Sequence, residues 1–175
     1  PAQKILDELS LLYRLLKTFL RDEYIRTHDL EGEIFALREL SNKKLETHYE
    51  SAYKRLEKKM IMQPYLDEAF HYHQYLLAET QHRHHQNAQL RSQDDLLSQK
   101  LAYLDQHYLA VKLRESCEAL QRELNIKEDA TFTFVREIMG QLSAADHPYR
   151  RIPIINAYYH IFLALSERET EAHFD

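Results

Sequence analysis

The near absence of chain-breaking residues restricts the fold of this chain more than any other feature. Only two of its 175 residues are glycine and four are proline, so the turn-forming glycines expected of a protein rich in β-sheet are missing. Leu, Ala, Glu, Lys, Arg and Gln dominate, and these residues favour helix. The composition therefore predicts an all-α protein.

Apolar residues recur at steps of three and four, as one buried helix face requires. In the first segment they are Ile5, Leu9, Leu12, Leu16, Phe19 and Leu20, and this stripe is predicted to be buried. Between Tyr65 and Asn87 the predicted core-facing positions are Leu66, Ala69, Phe70, His73, Leu76 and Leu77. Helices are predicted over residues 2–26, 29–40, 45–60, 65–87, 92–124 (as one helix or two), 130–142 and 154–165, with Phe134 and Ile138 on one face of the sixth.

Polar residues at the predicted boundaries have the character of caps. Ser41 with Asn42 predicts a turn and an N-cap, and both Ser92 and Ser166 have an acidic residue three positions later, which is typical of a capping box. A helix that begins at Ser166 has only a few residues left before the last residue. We therefore expect residues 1–175 to be one helical domain from a longer protein.

The charge balance argues against nucleic acid as a partner. The chain has 23 basic and 28 acidic residues and a net charge of −5, and the two signs are interspersed along the predicted helices instead of forming a basic patch. No apolar run approaches the roughly 18 residues of a membrane span. A single cysteine gives no disulfide framework, so we expect a cytoplasmic protein.

Three stretches of the chain carry a resemblance to known helical repeats. They are Gln63-Pro64-Tyr65, Tyr108 to Arg114 together with Cys117, and Ala157-Tyr158-Tyr159 followed by His173-Phe174. The chain resembles the tetratricopeptide-like superfamily and is similar to an uncharacterised bacterial family of large helical-repeat proteins. The resemblance implies antiparallel helical hairpins stacked as an α-solenoid, and no catalytic residues. The repeat has no regular 34-residue period here, so a helical bundle is the alternative.

Eleven histidines raise the question of a metal site. The candidate ligands are two Glu-x-x-His pairs, Glu68 with His71 and Glu79 with His82, a spacing that binds iron in some four-helix bundles. Both pairs fall on one predicted helix, roughly 16 Å apart along its axis, and on the side opposite the apolar stripe. They are predicted to form an outer polar face, and a metal-binding bundle with a redox or hydrolytic role is kept as the alternative function.

The sequence contains no motif that indicates an enzyme or a cofactor. Phosphate-binding loops, dinucleotide fingerprints and nucleophile elbows are all missing. Cys117 lies between Leu113 and Leu120 at helical spacing, which predicts a buried, unreactive thiol. We therefore expect a non-enzymatic protein without a cofactor.

The function that remains is protein interaction. Twelve tyrosines offer rings with an apolar body and a polar tip, which suit peptide-binding grooves, although packing between helices is the more usual role for them. The adjacent pair Tyr158 and Tyr159 is not expected to point into one core. We predict a scaffold that binds a protein or peptide, with self-association as a further possibility. The candidate contact residues are Tyr72, Tyr75, Tyr103, Tyr158 and Tyr159.

Overall fold

The computed structural model describes residues 2–87, 94–126 and 132–172. Every regular element in these ranges is helical, which confirms the predicted all-α class. None of these helices is both long and apolar enough to cross a membrane. The α-helices are α1 (Ala2–Thr27), α2 (Asp29–Asn42), α3 (Glu46–Ile61), α4 (Glu68–Asn87), α5 (Asp94–Ile126), α6 (Val135–Gln141) and α7 (Pro153–Ala172), and a short 3-10 helix (Pro148–Arg151) precedes α7.

The chain divides into two compact units. Unit 1 is Pro1–Lys59 and unit 2 is Met60–Asp175. Unit 1 contains α1, α2 and nearly all of α3, while unit 2 contains α4 to α7. Each unit is therefore described by itself.

In unit 1, α1 and α2 meet close to their junction. The Tyr24 hydroxyl donates a hydrogen bond of 3.2 Å to Glu31, and the Tyr24 ring stacks on His28 at 3.9 Å. At Gly32 the helices approach so closely that an added Cβ would lie 3.0 Å from Cγ2 of Ile25. The absence of a side chain at Gly32 lets the backbone of α2 pass the end of α1.

Helices α2 and α3 pair in antiparallel orientation. Lys59, near the end of α3, is ion-paired with Asp29 and with Glu33 at the start of α2, and Arg55 lies 3.8 Å from Glu33. The side chains of Ile34, Leu37 and Leu56 are fully buried. This pair buries apolar side chains that the helical period predicts to share one face.

Unit 2 is organised around α5, an unbroken helix of 33 residues and about 50 Å. Helix α4 runs antiparallel to it, since His82 lies beside Lys100 while Glu68 lies beside His107. Helix α7 runs parallel to α5, because Tyr149, just before α7, is bonded to Asp105 whereas Tyr158 contacts Cys117. The segment that contains α6 returns the chain to the part of α5 around Asp105, and α7 starts there.

One apolar cluster joins α5, α6 and α7. Its buried members are Leu109, Ala110, Leu113, Ile138, Leu142, Ile155 and Tyr159. Leu113 and Ile155 have no solvent exposure at all. Cys117 is also buried, as predicted, and burial raises the pKa of its thiol to about 11.

Helix α4 begins later, and buries a different face, than the sequence predicts. Asp67 ends the preceding loop by accepting a 2.9 Å hydrogen bond from the Phe70 amide, which places the first helical residue at Glu68. Leu66 and Ala69 are exposed, so the predicted stripe is wrong at its start. The buried residues of α4 are His71, Leu76, Leu77, Ala78, Thr80 and His84.

Three further local predictions are wrong. Ser41 is buried within α2, and the turn follows at Lys43 and Lys44, where Lys44 takes a left-handed φ of 56°. Ser166 lies inside α7 and donates to the Phe162 carbonyl at 2.9 Å, so it caps no new helix. Phe134 is exposed, at φ 63°, because it precedes α6 instead of lying within it. The predicted cap at Ser92 and residues His173 and Phe174 lie outside the described residues.

The central role of α5 leads to a stability prediction. Replacing the fully buried Leu113 by alanine should lower the free energy of unfolding by about 2–5 kcal/mol, because it removes apolar contacts and leaves a cavity. Leu104→Ala on the same helix, where the side chain is 38% exposed, is the matched control and should cost about 1 kcal/mol or less. Urea unfolding followed by circular dichroism measures both. Equal losses would contradict the assigned packing of α5.

Candidate functional site

The largest exposed apolar surface described lies on α1. Eight large side chains of this helix project within one sector and are each 49–62% exposed. We call this set the α1 face, and its members are Ile5, Leu6, Leu9, Leu12, Tyr13, Leu16, Phe19 and Leu20. The prediction that this stripe is buried is therefore wrong within unit 1.

The α1 face is too wide and too continuous to be ordinary surface. At 100° per residue its members span about 140° of the helix circumference. Isolated apolar residues are common on protein surfaces, but a contiguous patch of several hundred Å² marks an interaction site. A 26-residue helix with this face uncovered also lacks the tertiary packing that normally stabilises helices. The α1 face is the strongest candidate for a functional surface.

The opposite side of α1 carries charges of both signs, and its exposed large apolar side chains include Leu11 and Leu15. The helix contains five basic and four acidic residues, and several are paired locally, as Arg26 is with Glu23 at 2.6 Å. The Lys17 ammonium lies 5.7 Å from the centre of the Tyr13 ring. The net charge of α1 is therefore close to zero, and the surface that distinguishes this helix is its apolar face.

A second feature is a polar junction between three helices of unit 2. The Glu68 carboxylate, on the first turn of α4, accepts a 2.9 Å hydrogen bond from the Tyr158 hydroxyl of α7. Arg114 of α5 lies 3.4 Å from the same carboxylate oxygen. Burial, reinforced by the nearby Glu68 carboxylate, raises the pKa of Tyr158 to about 12. This junction aligns α4, α5 and α7 through one oxygen, Oε1, of Glu68.

His71 lies one turn after Glu68 and is 4% exposed. Neither ring nitrogen makes a hydrogen bond of good geometry within the described structure. Burial lowers the pKa of His71 because it penalises the charged ring, while the amides of Gln74 and Gln106 oppose part of the effect. His71 is therefore a neutral, buried histidine.

The four candidate metal ligands do not come together. Glu79 is ion-paired with Arg83, and the His82 ring lies 3.4 Å from the Lys100 ammonium. Glu68 contacts Tyr158 and Arg114, and His71 is buried. Neither they nor Glu79 lie on an exposed outer face, so that placement is wrong. Within residues 2–87, 94–126 and 132–172, no group of three or more ligand side chains could hold a metal ion.

The five candidate contact tyrosines are dispersed. Tyr159 is 7% exposed and belongs to the core cluster, and Tyr158 packs against the same cluster. The expectation that the two rings cannot share a core is therefore wrong, and Tyr159 is not accessible to a partner. Tyr72 packs against the ring of His107, and Tyr103 accepts a bond from Gln99. Tyr75 is partly buried on α4.

The largest cavity described in unit 2 has a volume of about 490 Å³. It lies between the ends of α5 and α7 and the start of α6, and one carboxylate oxygen of Glu123 in its wall is buried without a hydrogen-bond partner. Its apolar wall is formed mainly by Leu120, Phe132, Val135, Met139, Phe162 and Leu163. Arg136 and Ser166 are its other polar lining residues, and the Ser166 hydroxyl is bonded to the Phe162 carbonyl.

Comparison with protein-family models, curated proteins and solved structures finds no match. The candidate site therefore rests on the chain's own geometry. The residues that sequence reasoning singled out, histidines and tyrosines, are mostly engaged in packing. The α1 face was visible in the sequence as a helical stripe, but the stripe alone gave no indication that it would be left uncovered.

The environment of His71 predicts that acid destabilises unit 2. In the unfolded chain the ring takes up a proton at its ordinary pKa of 6.5, whereas the folded protein resists protonation to lower pH. Stability should therefore fall as the pH drops through and below about 6.5 and level off below the lowered pKa. Urea unfolding at about pH 7.5 and about pH 5.5 measures the loss.

The variant His71→Leu removes this titration and should reduce the loss of stability on acidification. Leu76→Ala, which truncates another buried side chain of α4, is the control and should lower stability at both pH values without changing the difference between them. An unchanged pH dependence in His71→Leu would contradict the assignment of His71 as a buried, neutral group.

Proposed function

We propose that this chain is a protein-interaction scaffold in which the α1 face docks against an apolar helix face of a protein partner. The observation that carries the proposal is the exposure of eight large, contiguous apolar side chains on one helix. When a helix docks into a groove or onto another helix, its contacting apolar residues have this same spacing of three and four. The surface is therefore suited to a helical protein partner.

The rest of the chain supports a scaffolding role. In the described part of unit 2, two of the four side chains singled out as possible ligands link helices: Glu68 contacts Tyr158 and Arg114, and His82 lies beside Lys100. Glu79 is paired with Arg83 within α4, which also weakens the alternative of a metal-binding bundle. Tyr72, Tyr75 and Tyr103 remain candidates for secondary contacts because they keep partial exposure.

The proposal extends to the arrangement of the helices and to their setting. It includes a tetratricopeptide-like array within a larger bacterial protein, which the antiparallel pairing of α4 with α5 supports. The parallel course of α7 along α5, with only seven residues in α6 between them, favours the alternative of a bundle for unit 2. The single buried thiol supports a reducing, cytoplasmic setting.

Site-specific photo-crosslinking tests the proposed docking surface. Leu12, in the middle of the α1 face, is replaced by p-benzoylphenylalanine, and the full chain is expressed in the organism that encodes it. We expect a protein adduct, because a docked helix would lie within reach of the photo-reactive ring. The same replacement at Thr18, on the polar side of α1, is the matched control and should give little or no adduct.

A specific adduct must also depend on the apolar character of the face. Adding Leu9→Glu and Leu16→Glu in the same chain should abolish it, since two buried charges oppose docking. Adduct bands are identified by mass spectrometry. No protein adduct from position 12, or equal adducts from positions 12 and 18, would contradict the interaction role of α1.

A further inference from the structure

We infer that the occupant of the α1 face is the α1 helix of a second copy of this chain. The inference rests on the proposed function and names its partner. Ile5, Leu9, Leu12, Leu16 and Phe19 follow one another at alternating steps of four and three, an average of 3.5 residues. This period keeps one seam facing a partner helix as two helices coil around each other.

The residues beside the seam are compatible with self-pairing. In a parallel, in-register pair, Glu8 of one copy would lie opposite Tyr13 of the other, and Leu15 opposite Leu20. Between Ile5 and Phe19 no like charges meet across the seam in that register. The apolar flanks would add contacts beyond the seam itself, so the surface is complementary to its own copy.

The α1 face is also large enough to form a specific interface between two copies. Complete burial of a Leu-sized side chain removes on the order of 100 Å² of apolar surface, and the eight side chains of the α1 face are each about half exposed. Two such faces would together bury roughly 900 Å² from these side chains alone, close to the ~1,000 Å² expected of a specific interface. Contributions from the backbone and the flanking residues bring the total within that range.

The charges on α1 favour this protein partner over a membrane surface. A helix that lies on anionic lipid usually has a polar side rich in lysine and arginine. In α1 the five basic residues are accompanied by four acidic ones, so the helix gains little from anionic headgroups. An apolar protein surface needs no such charge excess.

The test is the mass of the purified full chain in solution. Sedimentation equilibrium and light scattering are run from low to high micromolar concentration. We expect reversible association to at least twice the 21.0 kDa of one chain. The variant Leu9→Glu with Leu16→Glu should stay a monomer over the same range, because each glutamate would have to be buried in the seam.

The matched control is Ser10→Glu with Thr18→Glu, which adds the same two charges to the polar side of α1. It should associate like the parent chain. Circular dichroism and urea unfolding of each variant verify that unit 2 stays folded, so that a loss of association is not a loss of structure. Since the altered side chains of α1 are exposed, unit 2 should unfold at the same urea concentration in both variants.

Three results would overturn the inference. They are a parent chain that stays a monomer at high micromolar concentration, association that survives Leu9→Glu with Leu16→Glu, and co-sedimentation of the parent chain with phosphatidylcholine–phosphatidylserine vesicles that those glutamates abolish. A monomer whose Leu12 crosslinks to a different protein would overturn the self-pairing and leave the proposed function standing. A monomer without any protein adduct would overturn both.

Discussion

The helices of this chain depend on one constraint, which is that an apolar stripe on a helix must be covered by another surface. Helix propensity alone does not hold a helix of this kind in water, and packing of its apolar side provides most of its stability. Unit 2 meets the constraint internally, because α5 lies between α4 and α7 and buries Leu113 and Ile155 completely. Within unit 1 the apolar stripe of α1 is left exposed, so the constraint is not met there. The contrast between these helices is what points to a function.

Polar contacts refine the packing that apolar burial produces. Glu68 connects α4 to α7 through Tyr158 and to α5 through Arg114, and this fixes the relative positions of the three helices along their axes. A carboxylate that is only partly exposed is stable there because a hydroxyl and a guanidinium compensate it. The same compensation explains why residues with the spacing of metal ligands here serve to align helices. Spacing along one helix cannot distinguish metal binding from helix alignment, because the side chains that contact Glu68 come from other helices.

The sequence predicted the helices well and their buried faces less well. The scarcity of glycine and proline was sufficient for the all-α class, and the periodicity located all seven helices. Helix α4 shows the limit, since the true buried set includes His71, Thr80 and His84, polar residues that a hydrophobic pattern assigns to the outside. Ser166 shows another, because its hydroxyl bonds back to Phe162 within a continuous helix while its sequence context is that of a cap. For α1 the apolar period located the stripe, but whether a stripe is covered depends on tertiary contacts that no local pattern contains.

Hydrogen–deuterium exchange of the α1 backbone amides tests the central claim most directly, because it reports whether this helix is stabilised by a partner. At high micromolar concentration the account predicts slow exchange across Leu9 to Phe19 in the parent chain and fast exchange in Leu9→Glu with Leu16→Glu, with the amides of α5 equally protected in both. Fast exchange of α1 in the parent chain, or equal protection of α1 in the two proteins, would contradict it.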